Sequence, residues 1–468
     1  MLHAIVVQSF IMLLSADRII YEGFAYPDAG IEISDDGRIV AVAPLSALGT
    51  PDEVLHGKVI LPGMINAHSQ AFQRILRGRT QFASPNQKDD FFLWRDSMYH
   101  VAGLMEPESL YTVARQAFLE MLLSGVTTVG EFHYIHYQPD GEPYEDSNAM
   151  GLALIEAARD VGIRISLLQV VYLHGGFGMA LNPWQRRFAD PSIEVANDRF
   201  EALVRKLLEY RDVRLAWGIG AHSMRAVDYD EIMSLKLRLA HMPFHLQASA
   251  FDDEVDDCLD RHGERPVELL ARRELFDACT TLVHATQLTD AECDSIAKLG
   301  AVVCMCPSAE ADMGHGIGRA ADLLKRGVSV ALGTDNQLGS SILAEARMVE
   351  LHERLRSHER NRCVADTNTS VAAHTLNMAT LHGARSLGIE AGILRSRKWA
   401  DLAVYDLTDP RLAGLDGWSL LPGLMFGDLP RVTDVMVGGK FVVRDGKHEG
   451  AQGITEKYTT LVQSMYPA

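Results

Sequence analysis

Eight short apolar runs, recurring between residues 59 and 390, constrain the fold of this chain more than any other feature. They fall at 59–65, 126–132, 163–171, 213–221, 242–249, 279–285, 300–306 and 328–334, with longer segments of helical periodicity between them. Apolar runs of this length, bounded by turn residues, read as buried strands, and their alternation with helices is the pattern of parallel βα units. Eight such units predict an α/β chain whose centre, 59–390, is a TIM-like (β/α)8 barrel.

The flanks have a different texture. Residues 8–58 carry short alternating runs and turn signals, among them Asp35-Asp36-Gly37-Arg38 between IEIS and IVAVA, a hairpin signature. Residues 398–447 repeat that texture in DLAVYD, VTDVMVGG and KFVVRDGKH. Segments 1–58 and 391–468 are therefore expected to build one small β-sandwich from both chain ends, with a tail after it. The opening MLHAIVVQSFIMLL is apolar but lacks a basic leader region and is followed by Asp17. It is too short to span a bilayer and reads as a first strand.

A formal charge of −18 argues against nucleic acid or an anionic membrane as partner, since both repel an acidic protein. A small anionic ligand is still compatible, because a few pocket arginines dominate locally. The six cysteines are scattered without a CxxC pair, which fits free thiols in a reducing cytoplasm. Cys304-x-Cys306, inside AVVCMCPS, reads as strand packing.

Barrels of this kind place their chemistry at the C-terminal ends of the strands. Polar residues collect at those ends: His68 and Gln70, then Glu131 to Tyr134, His222 and Arg225, Gln247, His284 and Asp335. The strand pattern and the polar pattern support one another.

The motifs LPGMINAHSQAFQR, DDFFLWRDSMY, EFHYIHYQPDGEPY, QRRF, AHSMRAV, EVDDCLDRHGERP, LVHAT, CPSAEADMGHGI and GTDNQ together resemble the formimidoylglutamate deiminases of the amidohydrolase superfamily, across nearly the whole chain. The resemblance implies an amidohydrolase barrel, a single zinc ion, a homodimer, and release of ammonia from an imine-bearing glutamate derivative. It places the zinc ligands at His68, Gln70, Gln247 and Asp335, the acid–base glutamate at Ala250, and the histidine that polarises the substrate at His284.

Three of those positions depart from the family. Two imidazoles are replaced by the amides of Gln70 and Gln247, and the glutamate by Ala250; Gln287 and Gln337 also stand where histidines are usual. A neutral amide is a poor zinc donor, so zinc is expected to be weakly held or absent, with His68 and Asp335 the remaining ligands. Without a tight metal, water keeps its high pKa, and Ala250 cannot move a proton. Asp252, Asp253 and Glu254 are near in sequence, but FDDEVDDC reads as the exposed start of a helix.

The substrate side matches the family at Gln73, Arg95, Tyr134, His222 and Arg225. Arginine forks bind carboxylates through paired, charge-assisted hydrogen bonds, so a small carboxylate ligand, glutamate-like, is expected. Blander roles stay open: salt bridges for the arginines, core packing for His284, and a metal-free polar network for His68, Asp335, Gln70 and Gln247. Trp94 and Tyr99 read as helix core. Three functions are compatible with these residues. One is a hydrolase of carbon–nitrogen bonds using His284, Asp335 and His68; another is a non-catalytic binding protein; the third is a metal-independent lyase or isomerase.

Overall fold

The computed structural model describes residues 11–83, 91–239, 241–365 and 370–466. Residues 1–10, expected in the first strand, lie outside the described residues.

The barrel has eight parallel strands: Met64–Ser69, Val126–His133, Arg164–Val171, Leu215–Ser223, Phe244–Ala248, Thr280–His284, Val302–Met305 and Val330–Leu332. Each pairs with its chain neighbour, and helices fill the intervals. The ring is completed by a parallel bridge between Ser69 and Asp335. At that seam the Asp335 N–H donates to the His68 carbonyl at 3.0 Å, and the Gln70 N–H to the Asp335 carbonyl at 3.1 Å. A Cβ at Gly333 would lie 2.7 Å from the His68 Cβ and 2.9 Å from Cys306 Sγ, so the seam closes only over glycine.

One run differs from expectation. The stretch 59–65 is divided between Glu53–Pro62, a strand of the terminal sheet, and Met64–Ser69, the first barrel strand. The reason is steric: a Cβ at Gly63 would sit 2.3 Å from the Thr127 side chain, and Pro62 has no N–H with which to extend the pairing.

The two chain ends form one continuous mixed sheet, ordered Lys440–Val443, Val432–Val437, Leu402–Asp406, Glu53–Pro62, Ile11–Tyr21, Ala29–Ser34 and Ile39–Pro44. The junction of the two ends is antiparallel pairing of Ala403 with Leu61. Leu14, Ile19, Ile31, Ile60, Val404 and Met436 make a core separate from that of the barrel. A buried pair, Arg164 Nε to Asp401 Oδ2 at 3.0 Å, ties this sheet to the third barrel strand. The segment expected as a tail contains a helix, Ala451–Met465, whose Tyr458 ring lies 5.1 Å from the Arg74 guanidinium carbon.

All six cysteines are unpaired. Among the described residues, no helix is long and apolar enough to cross a membrane.

Candidate active site

The strand ends bring most of the predicted polar residues to one chamber, Glu131 and His133 lying outside it. Gln70, Gln247, His284 and Asp335 line it from the barrel axis, and Gln73, Tyr134, His222, Arg225 and Arg95 from the loops and the helix Phe91–Gly103. His68 does not line the chamber; it is fully buried against Asp335.

Asp335 organises the axial side. His68 Nε2–H donates to Asp335 Oδ1 at 3.2 Å, and the Gln70 amide donates to the same oxygen at 2.5 Å. Asp335 Oδ2 lies 3.9 Å from His284 Nε2. The Gln70 amide oxygen accepts from Gln73 at 2.5 Å and from the Tyr134 hydroxyl at 2.6 Å. These partners fix the amide's orientation, because reversing it would set its oxygen against the Asp335 carboxylate. Burial opposes charge on Asp335, but the His68 hydrogen bond and His284 outweigh it and hold the carboxyl below its usual range.

That arrangement tests the donor set for zinc. Gln70 presents an NH2 group toward Asp335, with no lone pair to offer a metal. Gln247 has only a neutral amide, and the Nε2 proton of His68 is engaged by Asp335. The set does not fit a tightly held zinc ion, whose ligands are imidazole, thiolate or carboxylate.

His284 is held from behind. Its Nδ1–H donates to Glu310 Oε1 at 3.2 Å, and the same oxygen accepts the Cys306 N–H at 2.8 Å. Burial lowers the His284 pKa, but Glu310 and the Asp335 charge more than offset this and raise it. His284 and Asp335 both occupy left-handed backbone, at φ 67° and 45°. That conformation costs about 1–3 kcal/mol per residue and is tolerated where the fold over-determines it. The strain aims both side chains at the gap between them.

At the fifth strand, Ala250 offers no titratable group. The exposed start expected for the following helix is corrected at Glu254, which is 1% exposed. Its Oε2 accepts the Ala250 N–H at 2.8 Å, and its Oε1 lies 4.0 Å from Arg225 Nε. Apolar walls around the helix start turn Glu254 inward, while Asp252 and Asp253 face out. Gln337 donates to Ser69 Oγ at 3.0 Å, and Gln287 to the His315 carbonyl at 2.6 Å; both are structural ties.

Arg95 lies over the rings of Phe92 and Tyr99, and Arg225 over Phe91 and Phe251. Among the described residues Arg95 has no ion-pair partner, and the Nε atoms of both arginines are buried without a hydrogen bond. Burial, with Arg225 near, pushes His222 down to about 3. Trp94 and Tyr99, expected in the core, also line the chamber.

A profile of the amidohydrolase family matches residues 59–442. The chain belongs to that family. It is 36% identical over 448 residues to a formimidoylglutamate deiminase of Pseudomonas aeruginosa, covering 95% of this chain and 97% of the relative. An 8-oxoguanine deaminase of the same organism is 28% identical over 439 residues, 90% of this chain and 91% of the other. Among solved structures, an amidohydrolase from Brucella melitensis superimposes with a TM-score of 0.90 at 31% identity, covering 97% of this chain and 99% of that one.

This amidohydrolase also has residues in and behind the chamber that its sequence does not single out. Glu310 stands inside the CPSAEADMGHGI motif, on the first turn after the seventh strand, and that position was its available signal. His315, from the same motif, stacks on Phe251 with ring centres 5.2 Å apart. Gln185, the first residue of QRRF, donates to the Tyr172 hydroxyl at 2.7 Å. Nothing local in the sequence marks Tyr172.

Proposed function

We propose that this amidohydrolase hydrolyses a carbon–nitrogen bond of a small, glutamate-like carboxylate in the deiminase manner, without a tightly held zinc ion. The observation that carries the proposal is the pairing of two arginines with unsatisfied Nε atoms and an acid–base cluster in one chamber. Its likeness to the formimidoylglutamate deiminase, by that relative's name, supports the choice of substrate class.

Such a hydrolysis forms a carbon–oxygen bond with water and breaks the carbon–nitrogen bond, releasing ammonia. A proton must leave the water and one must reach the departing nitrogen; here neutral His284 takes it and the resulting imidazolium returns it to the nitrogen. His284, held by Glu310, is the base in this scheme, and Asp335, 3.9 Å across the gap, steadies the nitrogen side. His68 sets the Asp335 charge from below. Arg95 and Arg225, with Gln73, Tyr134 and His222 around them, hold the carboxylates. With its acidic charge and unpaired thiols, the protein is taken to work in the cytoplasm, as a homodimer by likeness to the family.

A second reading, a binding protein without turnover, is favoured by one observation: Ala250 leaves the fifth strand without a proton-transfer group, while the arginine side keeps its residues. Ammonia release from N-formimino-L-glutamate, measured alongside calorimetric binding, separates the two. Release above the uncatalysed rate supports the hydrolase, binding without release supports the second reading, and neither would overturn both.

A further inference from the structure

Arg187, the third residue of QRRF, is 2% exposed and does not line the chamber. Its guanidinium donates to three backbone carbonyls rather than to a carboxylate. Nη1 donates to the Ala102 carbonyl, in the last turn of the helix Phe91–Gly103. Nη2 donates to the Met105 carbonyl just past that helix at 2.8 Å, and to the Tyr137 carbonyl at 3.1 Å. In return, the Arg187 carbonyl accepts the N–H groups of His136 at 3.1 Å and Tyr137 at 3.0 Å. Burying a cation without a carboxylate partner is costly. A helix C-terminus offsets that cost, because its carbonyls lack helical N–H partners and carry a partial negative charge. Arg187 thereby pins the end of this helix to the loop after the second barrel strand.

That helix carries Arg95, which rests on the rings of Phe92 and Tyr99, both of the same helix. The place of Arg95 at the chamber is therefore set by where the helix lies. Positions 95, 99 and 102 follow the i, i+4, i+7 spacing of one helix face. A hold at Ala102 acts on the face that presents Arg95, about 10 Å along the axis. Gln185, two residues before Arg187, grips the same face by donating to the Tyr99 hydroxyl at 3.3 Å. Phe188 packs on Tyr99 and Tyr134, with ring centres 5.8 and 5.2 Å away.

We propose that Arg187 is a positioning residue for ligand binding: by capping the helix Phe91–Gly103 it fixes Arg95 where the ligand carboxylate is received. The role rests on the carboxylate reading given above. It gives QRRF a function that strand-end chemistry does not, since Arg187 acts from behind the chamber wall.

The test is a double-mutant cycle on the full chain, read by calorimetry. N-formyl-L-glutamate, the hydrolysis product of N-formimino-L-glutamate, is the probe, since it keeps both carboxylates. Arg187→Lys retains the charge but lacks the planar fork that reaches two segments at once. It should weaken binding about five-fold or more in the native background, and less than about two-fold where Arg95→Ala is already present, because the effect runs through Arg95. A loss by the same factor in both backgrounds marks Arg187 as a general packing residue and overturns the proposal, as does unchanged affinity in Arg187→Lys. Arg187→Gln, which buries no charge and keeps a donor, repeats the cycle if the lysine variant does not fold. A further arm needs no variant: amide exchange across residues 98–105 should be slow in the ligand-free native chain and change little when the probe is added. Fast exchange that slows only on binding would show that the ligand orders the helix end, against the proposal. Failure of the native protein to bind the probe overturns the carboxylate reading, and the role in binding with it.

Discussion

Gln70 donates its side-chain amide to Asp335 at 2.5 Å, and that one bond commits the first strand to hydrogen bonding where an imidazole would present a lone pair. Exchanging it alone gains little, because Gln247 would still be an amide. The double variant Gln70→His with Gln247→His should therefore hold markedly more zinc than the native protein, measured by elemental analysis after dialysis against a mild chelator. Its turnover should stay low, since Ala250 still lacks a proton shuttle, a role worth ~10²–10⁴ in rate. Stoichiometric zinc in the dialysed native protein would show that the two amides do not weaken the site.

The arginines should separate in their effects. Each charge-assisted pair with a ligand carboxylate contributes about 1.5–3 kcal/mol, so Arg95→Ala and Arg225→Ala should each weaken binding of N-formimino-L-glutamate roughly ten- to a hundred-fold. Arg225→Ala also strips Glu254 of its nearest cation, and should lower the thermal midpoint. Arg95→Ala, with no such partner among the described residues, should leave the midpoint nearly unchanged. Unaltered binding in both variants would remove the arginines from the site.

The barrel was legible because a buried parallel strand must be an uninterrupted apolar run, and all eight runs became strands or parts of them. The division at Gly63 was hidden, because a continuous apolar stretch does not reveal that its halves join different sheets. In the site, strand-end position and motif resemblance located His284, Asp335 and the arginines. Glu254 is not legible, because three consecutive acids at a helix start look solvated, and only the three-dimensional packing distinguishes the one that turns inward. Glu310 carries no local signal of its role, because that role depends on a contact with His284, 26 residues away.

Glu131, at the end of the second strand, makes a pH-dependent contribution to stability. Burial raises its pKa from 4.5 to about 8, against the opposing hydrogen bonds from Ser69 and the Ala71 N–H. Between those values the folded state binds more protons than the unfolded state, so stability should fall as pH rises through that window. Glu131→Gln, which can still accept from Ala71, removes the titration. Its thermal midpoint should decline less than the native protein's from pH 4.5 to 8. Parallel declines in the two proteins would show that Glu131 is ionised in the folded state.

Glu310 should act on turnover through His284 alone. Glu310→Gln keeps an oxygen that can accept from His284 Nδ1 and the Cys306 N–H, so the ring stays oriented while the negative charge is lost. The His284 pKa, raised in part by that carboxylate, should then fall. As a base, His284 works only when neutral, so the acid limb of the kcat–pH profile should move to lower pH in Glu310→Gln. A weaker base also transfers protons less well, so the plateau should drop, while KM changes little because Glu310 does not line the chamber. Glu310→Ala removes the tether as well as the charge and should cost more, on the order of 10²-fold in kcat, in keeping with loss of a positioned acid–base group. The profiles of both variants, measured by ammonia release from N-formimino-L-glutamate, decide the matter. An acid limb that stays in place in Glu310→Gln would show that a group other than His284 takes the proton from water.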